Sequence, residues 1–177
     1  MSETITQSAL YGSNQGDAFN DITIAGWPST QNFSKISNIF VRYGEIVDYI
    51  KVTYDSKNGA APVTQEHGGP GGSYQHNIAL SASEFVVGVY GEYGHVATDF
   101  GATNIQKLQF VIADKTKGSV RIEGPFSTQA RVPGKPFNVT GTVLAVAGYV
   151  ANGTGPNYGT RPYLQSLSFF HPSSGFN

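Results

Sequence analysis

Cysteine is absent from this 177-residue chain, which excludes disulfides and thiolate metal sites and leaves its redox compartment unmarked. Charge is scarce: charged residues make up only 13% of the chain, and the formal net charge is −1. So little charge builds neither a basic face for nucleic acid nor a like-charged tail. No apolar run approaches the roughly 20 residues of a membrane-spanning helix, so no membrane insertion is expected. The opening stretch MSETITQSALYGSNQG lacks the basic and apolar regions of a secretory signal, which leaves a cytoplasmic or non-classically released protein as the expectation. His76, His95 and His171 show no metal-ligand spacing with carboxylates, so no metal and no cofactor are expected. Helical periodicity of useful length is missing too. Ile36 to Ile50 comes nearest, but its β-branched residues, Gly44 and a period of two favour strands.

What the chain has in quantity is glycine (22 residues), tyrosine (10) and phenylalanine (11). Short β-rich runs between Gly, Asn, Pro and Ser clusters predict an all-β fold. Strands are expected over 21–24, 36–43, 47–54, 74–80, 85–93, 105–113, 120–123, 137–139, 142–150 and 164–170. The stretches 62–66 and 151–160 read as irregular insertions. Three segments repeat an order of apolar strand, glycine-containing loop and apolar strand: ISNIFVRYGEIVDYIKVTY, FVVGVYGEYGHVATDFGATNIQKLQF and VLAVAGYVANGTGPNYGTRPYLQSLSF. Three degenerate copies of one hairpin unit predict pseudo-threefold symmetry. Three four-stranded antiparallel sheets forming the faces of a prism would satisfy it, in a single domain over residues 1–177.

The first repeat carries the chemistry. Gly44-Glu45-Ile46-Val47-Asp48 is a Gly-x-x-x-Asp stretch, and a glycine cluster, HGGPGG, follows at His67 to Gly72. Glycines leave backbone N–H groups uncovered, whereas the Asp48 carboxylate is acceptor-only. Donors facing such an acceptor suit a ligand rich in vicinal hydroxyls, which is a sugar. Taken singly, each feature has a plain alternative: glycines make ordinary turns, and a surface Asp caps them. Trp27, the lone tryptophan, fits sugar stacking or simple packing, and His67 fits a sugar contact or a turn. Glycoside hydrolysis needs two facing carboxylates with separated roles, and no such constellation or nucleophile motif is present. No catalytic residue is assigned.

In order along nearly the whole chain, YGSNQGDAFNDI, ISNIFVRYGEIVDYIKVTY, HGGPGGSYQHNIAL, EGPF and RPYLQSLSFF resemble the motifs of the jacalin-related lectins. That resemblance implies a β-prism I fold and non-catalytic sugar binding. It implies a site in which Asp48 accepts from two sugar hydroxyls and the N–H groups of Glu45, Ile46 and the Gly71-Gly72 turn donate. Gly44 shapes the hairpin turn, and Ile46 and Val47 press on the ring. It also implies a preference for mannose- or glucose-type residues. Galactose-binding members usually depend on a cleavage at the first glycine loop, which here is degraded and embedded in a longer N-terminal segment. A possible second sugar site pairs Gly16 with Tyr163, Leu164 and Gln165, where Gln165 stands in place of Asp and Arg161 in place of Gly. A third, weaker candidate pairs Asp99 with Gly134. The expected partners are mannose-containing glycans or glycoproteins, engaged by a homo-oligomer because single-sugar contacts are weak. The alternative is a prism that has lost sugar binding and serves as a structural or protein-interaction module.

Overall fold

A computed structural model describes residues 4–25, 35–55, 59–95, 103–128, 133–151 and 162–173. The described residues form thirteen strands and no helix. The N-terminal strands β1 (Ile5–Gln7), β2 (Tyr11–Gly12) and β3 (Asp17–Asn20) are followed by a sheet of β4 (Ile36–Tyr43), β5 (Val47–Tyr54), β6 (Val63–Gly68) and β7 (Tyr74–Ala79). The next sheet comprises β8 (Glu84–Gly94), β9 (Asn104–Asp114), β10 (Ser119–Phe126) and β11 (Lys135–Thr140), and the chain closes with β12 (Ala145–Val150) and β13 (Leu164–Pro172). The orders are β6–β5–β4–β7, β10–β9–β8–β11 and β1–β13–β12–β3, with β2 extending the β1 edge along β13. All pairings are antiparallel. The inner strands β5, β9 and β13 meet pairwise, so the sheets close as three faces around one axis. This is the β-prism I architecture.

Alternation explains the packing. On β4 the inward Ile39 and Val41 are buried while Phe40 and Arg42 face out. Together with Ile50, Leu108, Phe110, Leu167 and Phe169 they belong to one apolar cluster drawn from all three sheets. Burying each such side chain stabilises the fold by roughly 1.5–3 kcal/mol.

Two polar ties cross the seams between sheets. At the first, buried Asp21 accepts from the Tyr54 hydroxyl at 2.9 Å and from His67 Nε2 at 3.0 Å, while Phe19 stacks on the His67 ring at 3.7 Å. At the second, Arg121 on β10 donates to Glu84, to Glu123 and to the Ala79 carbonyl at the end of β7. His76 on β7 reaches Glu123 at 3.0 Å.

Several expected elements move. The strand expected over 21–24 lies earlier, at Asp17–Asn20. The Asn20 side chain accepts from the Ile22 N–H, and the Ala25 N–H bonds Asp21, which turns the chain there. Residues 63–68, read in part as an insertion, form edge strand β6, whose mostly exposed polar side chains carry no apolar signal. The short strands β1 and β2 were not expected, and β12 begins at Ala145, three residues later than anticipated.

Candidate functional site

The β4–β5 hairpin turns tightly at residues 44–46, where the Gly44 N–H donates to the Ile46 carbonyl at 2.8 Å. Just past the turn the ladder slips. Tyr43 pairs with Val47 and Arg42 with Tyr49, so Asp48 is the extra residue of a β-bulge. A bulge lifts one side chain out of the sheet's alternation and re-aims it. The Asp48 carboxylate is thereby directed at the loop joining β6 to β7. A Cβ placed on Gly71 would lie 2.1 Å from Asp48 Oδ1, so only a glycine leaves that space. Gly72 sits at φ +77°, and a Cβ there would come within 2.7 Å of the Tyr43 nitrogen. The loop is held on the hairpin by the Gly69 N–H, which donates to the Asp48 carbonyl at 3.0 Å.

The structure therefore brings Gly44, Glu45, Ile46, Asp48, Gly71 and Gly72 to one end of the first sheet. Val47 differs from expectation. Its side chain is wholly buried in the core, so it cannot press on a ligand, and Ile46 is nearly as buried. The exposed apolar surface here belongs instead to Tyr74, 55% exposed and stacked on Tyr43 at 5.7 Å. Sequence reasoning passed over it, although an aromatic two residues beyond a glycine cluster is a readable signal. His67 is another correction: it is neither a turn residue nor a sugar contact but the buried partner of Asp21. Trp27 and Asp99 lie outside the described residues.

The other two sheets repeat the bulge. Between Glu92 and Tyr93 the register against β9 slips so that Gln106 is the extra residue, and on β13 the slip between Tyr149 and Val150 leaves Gln165 unpaired with β12. Each glutamine amide lies against a glycine as Asp48 does. A Cβ on Gly134 would be 2.4 Å from Gln106 Oε1, and one on Gly16 would be 2.9 Å from Gln165 Oε1. The described residue that matches Asp48 in the second repeat is thus Gln106. Gly16 and Gln165 do come together as expected, but Leu164 is in the core and Tyr163 is 5% exposed. The Gln165 Oε1 and both polar atoms of the Gln106 amide are buried without a hydrogen-bond partner among the described residues. Only the first repeat presents a carboxylate at its bulge.

Three sheets closing a prism, with a bulged acceptor seated on a glycine loop at one end, define a lectin-type domain. The model of the jacalin-like lectin domain matches residues 8–154, and the chain belongs to that family. It is similar to Jacalin-related lectin 19 of Arabidopsis thaliana, with 28% identity over 160 residues that cover 90% of this chain and 76% of the relative. Among solved structures it resembles wild-type Malaysian banana lectin at 23% identity and a TM-score of 0.65, covering 94% of this chain and 97% of that one. It also resembles a mannose-specific jacalin-related lectin from Morus nigra in complex with mannose, at 23% identity and a TM-score of 0.66, covering 98% and 97%.

Proposed function

We propose that this chain is a non-catalytic lectin for mannose- or glucose-type glycans, which it binds at the end of the β4–β5 hairpin. The observation that carries this reading is the bulged Asp48 carboxylate seated on Gly71 beside the hairpin turn. A carboxylate accepts from two adjacent hydroxyls at once, and charge-assisted bonds of this kind are the stronger ones. The Glu45, Ile46 and Gly72 backbone offers donors around it, and Tyr74 offers an apolar rim for the C–H face of the ring. The mannose class has support from the mannose-specific lectin of Morus nigra and the mannose-binding lectin of Ananas comosus, both of which share the fold. Single-sugar affinity is expected to be weak, because each hydroxyl contact replaces an equivalent contact with water.

A second reading, a prism used only as a structural or interaction module, draws on Gln106 and Gln165, which stand where the first repeat has a carboxylate. Titration calorimetry with methyl mannoside separates the two. Asp48→Ala is expected to abolish the heat while the far-UV spectrum stays unchanged. Asp48→Asn keeps the shape without the charge and is expected to weaken binding at least about tenfold, since a hydrogen bond to a charged group is worth about 1.5–3 kcal/mol. Silence from the unsubstituted protein towards every neutral hexoside would favour the second reading.

A further inference from the structure

Behind the glycine loop, the outer face of the β4–β5 pair holds a groove of about 360 Å³ lined by Phe40, Arg42, Tyr49, Gly68, Gly69 and Pro70. Its floor is aromatic. Phe40 and Tyr49 meet edge to face at 6.1 Å and 78°, an amphipathic surface of the kind that packs against a sugar ring. Its one cation is Arg42. Among the described residues no carboxylate lies within ion-pair distance of this guanidinium, and its Nε is buried without a hydrogen-bond partner.

The neighbouring charges are otherwise engaged. Burial, helped by the nearby Glu66 carboxylate, pushes the Tyr49 hydroxyl up to about 12. Lys51 stands directly opposite Glu66 and lies over the Phe40 ring at 5.1 Å. The Asp48 carboxylate is turned by the bulge into the glycine loop at Gly71. A half-buried guanidinium without a counter-ion has lost water and gained nothing in return, so it contributes little to stability. What it does offer is a planar fork of donors shaped for a carboxylate, sulfate or phosphate. Arg42 lies near the end of β4, two residues before Gly44 in the hairpin turn, roughly 7 Å at a rise of about 3.3 Å per residue. That places it within reach of the sugar residue next to one held at Asp48.

We propose that this groove takes an anionic sugar residue, bearing a carboxylate, sulfate or phosphate, linked to the residue anchored at Asp48. Arg42 pairs the anion and the ring covers Phe40 and Tyr49. The proposal rests on the sugar-binding reading above and adds the class of glycan that the site selects.

The test compares binding of methyl mannoside, glucosyl-mannose, glucuronosyl-mannose and sulfated glucosyl-mannose by calorimetry at low and physiological salt. The protein is expected to bind at least one anionic disaccharide about tenfold more tightly than the neutral one, as a partly screened charge-assisted bond allows, with the advantage shrinking as salt rises. Which of the two anions gains identifies the group. In Arg42→Gln that advantage disappears while methyl mannoside binds as before, and Arg42→Lys keeps part of it. Equal binding of neutral and anionic disaccharides, or an advantage that survives in Arg42→Gln, overturns the groove assignment while leaving the lectin reading intact. Failure of methyl mannoside and the neutral disaccharide to bind at all overturns both.

Discussion

Two glycines at the candidate site look alike in the sequence and differ in the structure. Gly44 heads the Gly-x-x-x-Asp stretch, yet its φ lies outside the left-handed region, and the nearest atom to a Cβ there is the Gly72 Cα at 3.8 Å. Gly71 belongs to an unremarkable run of glycines, yet its missing Cβ makes room for the Asp48 carboxylate. Gly44→Ala is therefore expected to change mannoside affinity by no more than about twofold, the usual scale for an unstrained surface substitution. Gly71→Ala drives a methyl group into the Asp48 carboxylate and is expected to weaken binding at least about tenfold. Calorimetry on the two variants decides the matter, and equal losses would mean that Asp48 does not depend on this seat. The sequence made Asp48 and the glycine cluster legible through residue type and order. It concealed Gln106, because residues 95–103 intervene in sequence between β8 and β9 and Asp99 among them offers a more tempting acceptor. The clue was spacing. Buried apolar positions run 47, 50, 52 on β5, then 105, 108, 110 on β9 and 164, 167, 169 on β13, each with one step of three that marks the bulge.

Among the elements, the tie between β7, β8 and β10 governs how the fold responds to acid. Arg121 binds Glu84 through Nε at 2.8 Å, the Ser81 N–H donates to the same carboxylate, and together they hold the Glu84 carboxyl at about 2 against an ordinary 4.5. A group whose pKa is depressed in the folded state contributes stability above its unfolded value and loses it as pH falls through the folded one. The Tm is therefore expected to drop between about pH 4.5 and 2, and Glu84→Gln is expected to have a lower Tm at neutral pH and a flatter profile across that window. Asp114, lowered chiefly by the Lys117 N–H, keeps some slope in the variant. A thermal melt series in both proteins checks this, and parallel profiles would remove Glu84 from the account. Elements of this kind differ in how well the sequence displays them. The long inner strands β4, β5, β8 and β9 are legible because one face alternates into the core. The edge strands β3 and β6 are not, because exposed side chains dominate both and the ladder rather than an apolar pattern keeps them extended.

For the whole molecule, pseudo-threefold symmetry raises the question of how many sugars one chain holds. The backbone answers three, since each sheet places a bulged acceptor against a glycine. The side chains answer one. An amide offers a single acceptor oxygen and no charge, and those of Gln106 and Gln165 are sealed from solvent at 1% and 4% exposure. Calorimetry is thus expected to give a stoichiometry of about one sugar per chain, all of it lost in Asp48→Ala. A value near two, or heat surviving in that variant, would place a second sugar at Gly16 and Gln165. If the chain holds one weak site, as proposed, useful retention on a glycan surface would come from linking chains rather than from any one contact. Linked sites of this type gain on the order of 10²–10⁴ in avidity. Sedimentation velocity paired with binding to a mannosylated surface tests that link. A protein that sediments as a monomer yet stays on the surface far longer than its single-site affinity permits would show that the chain holds more than one sugar.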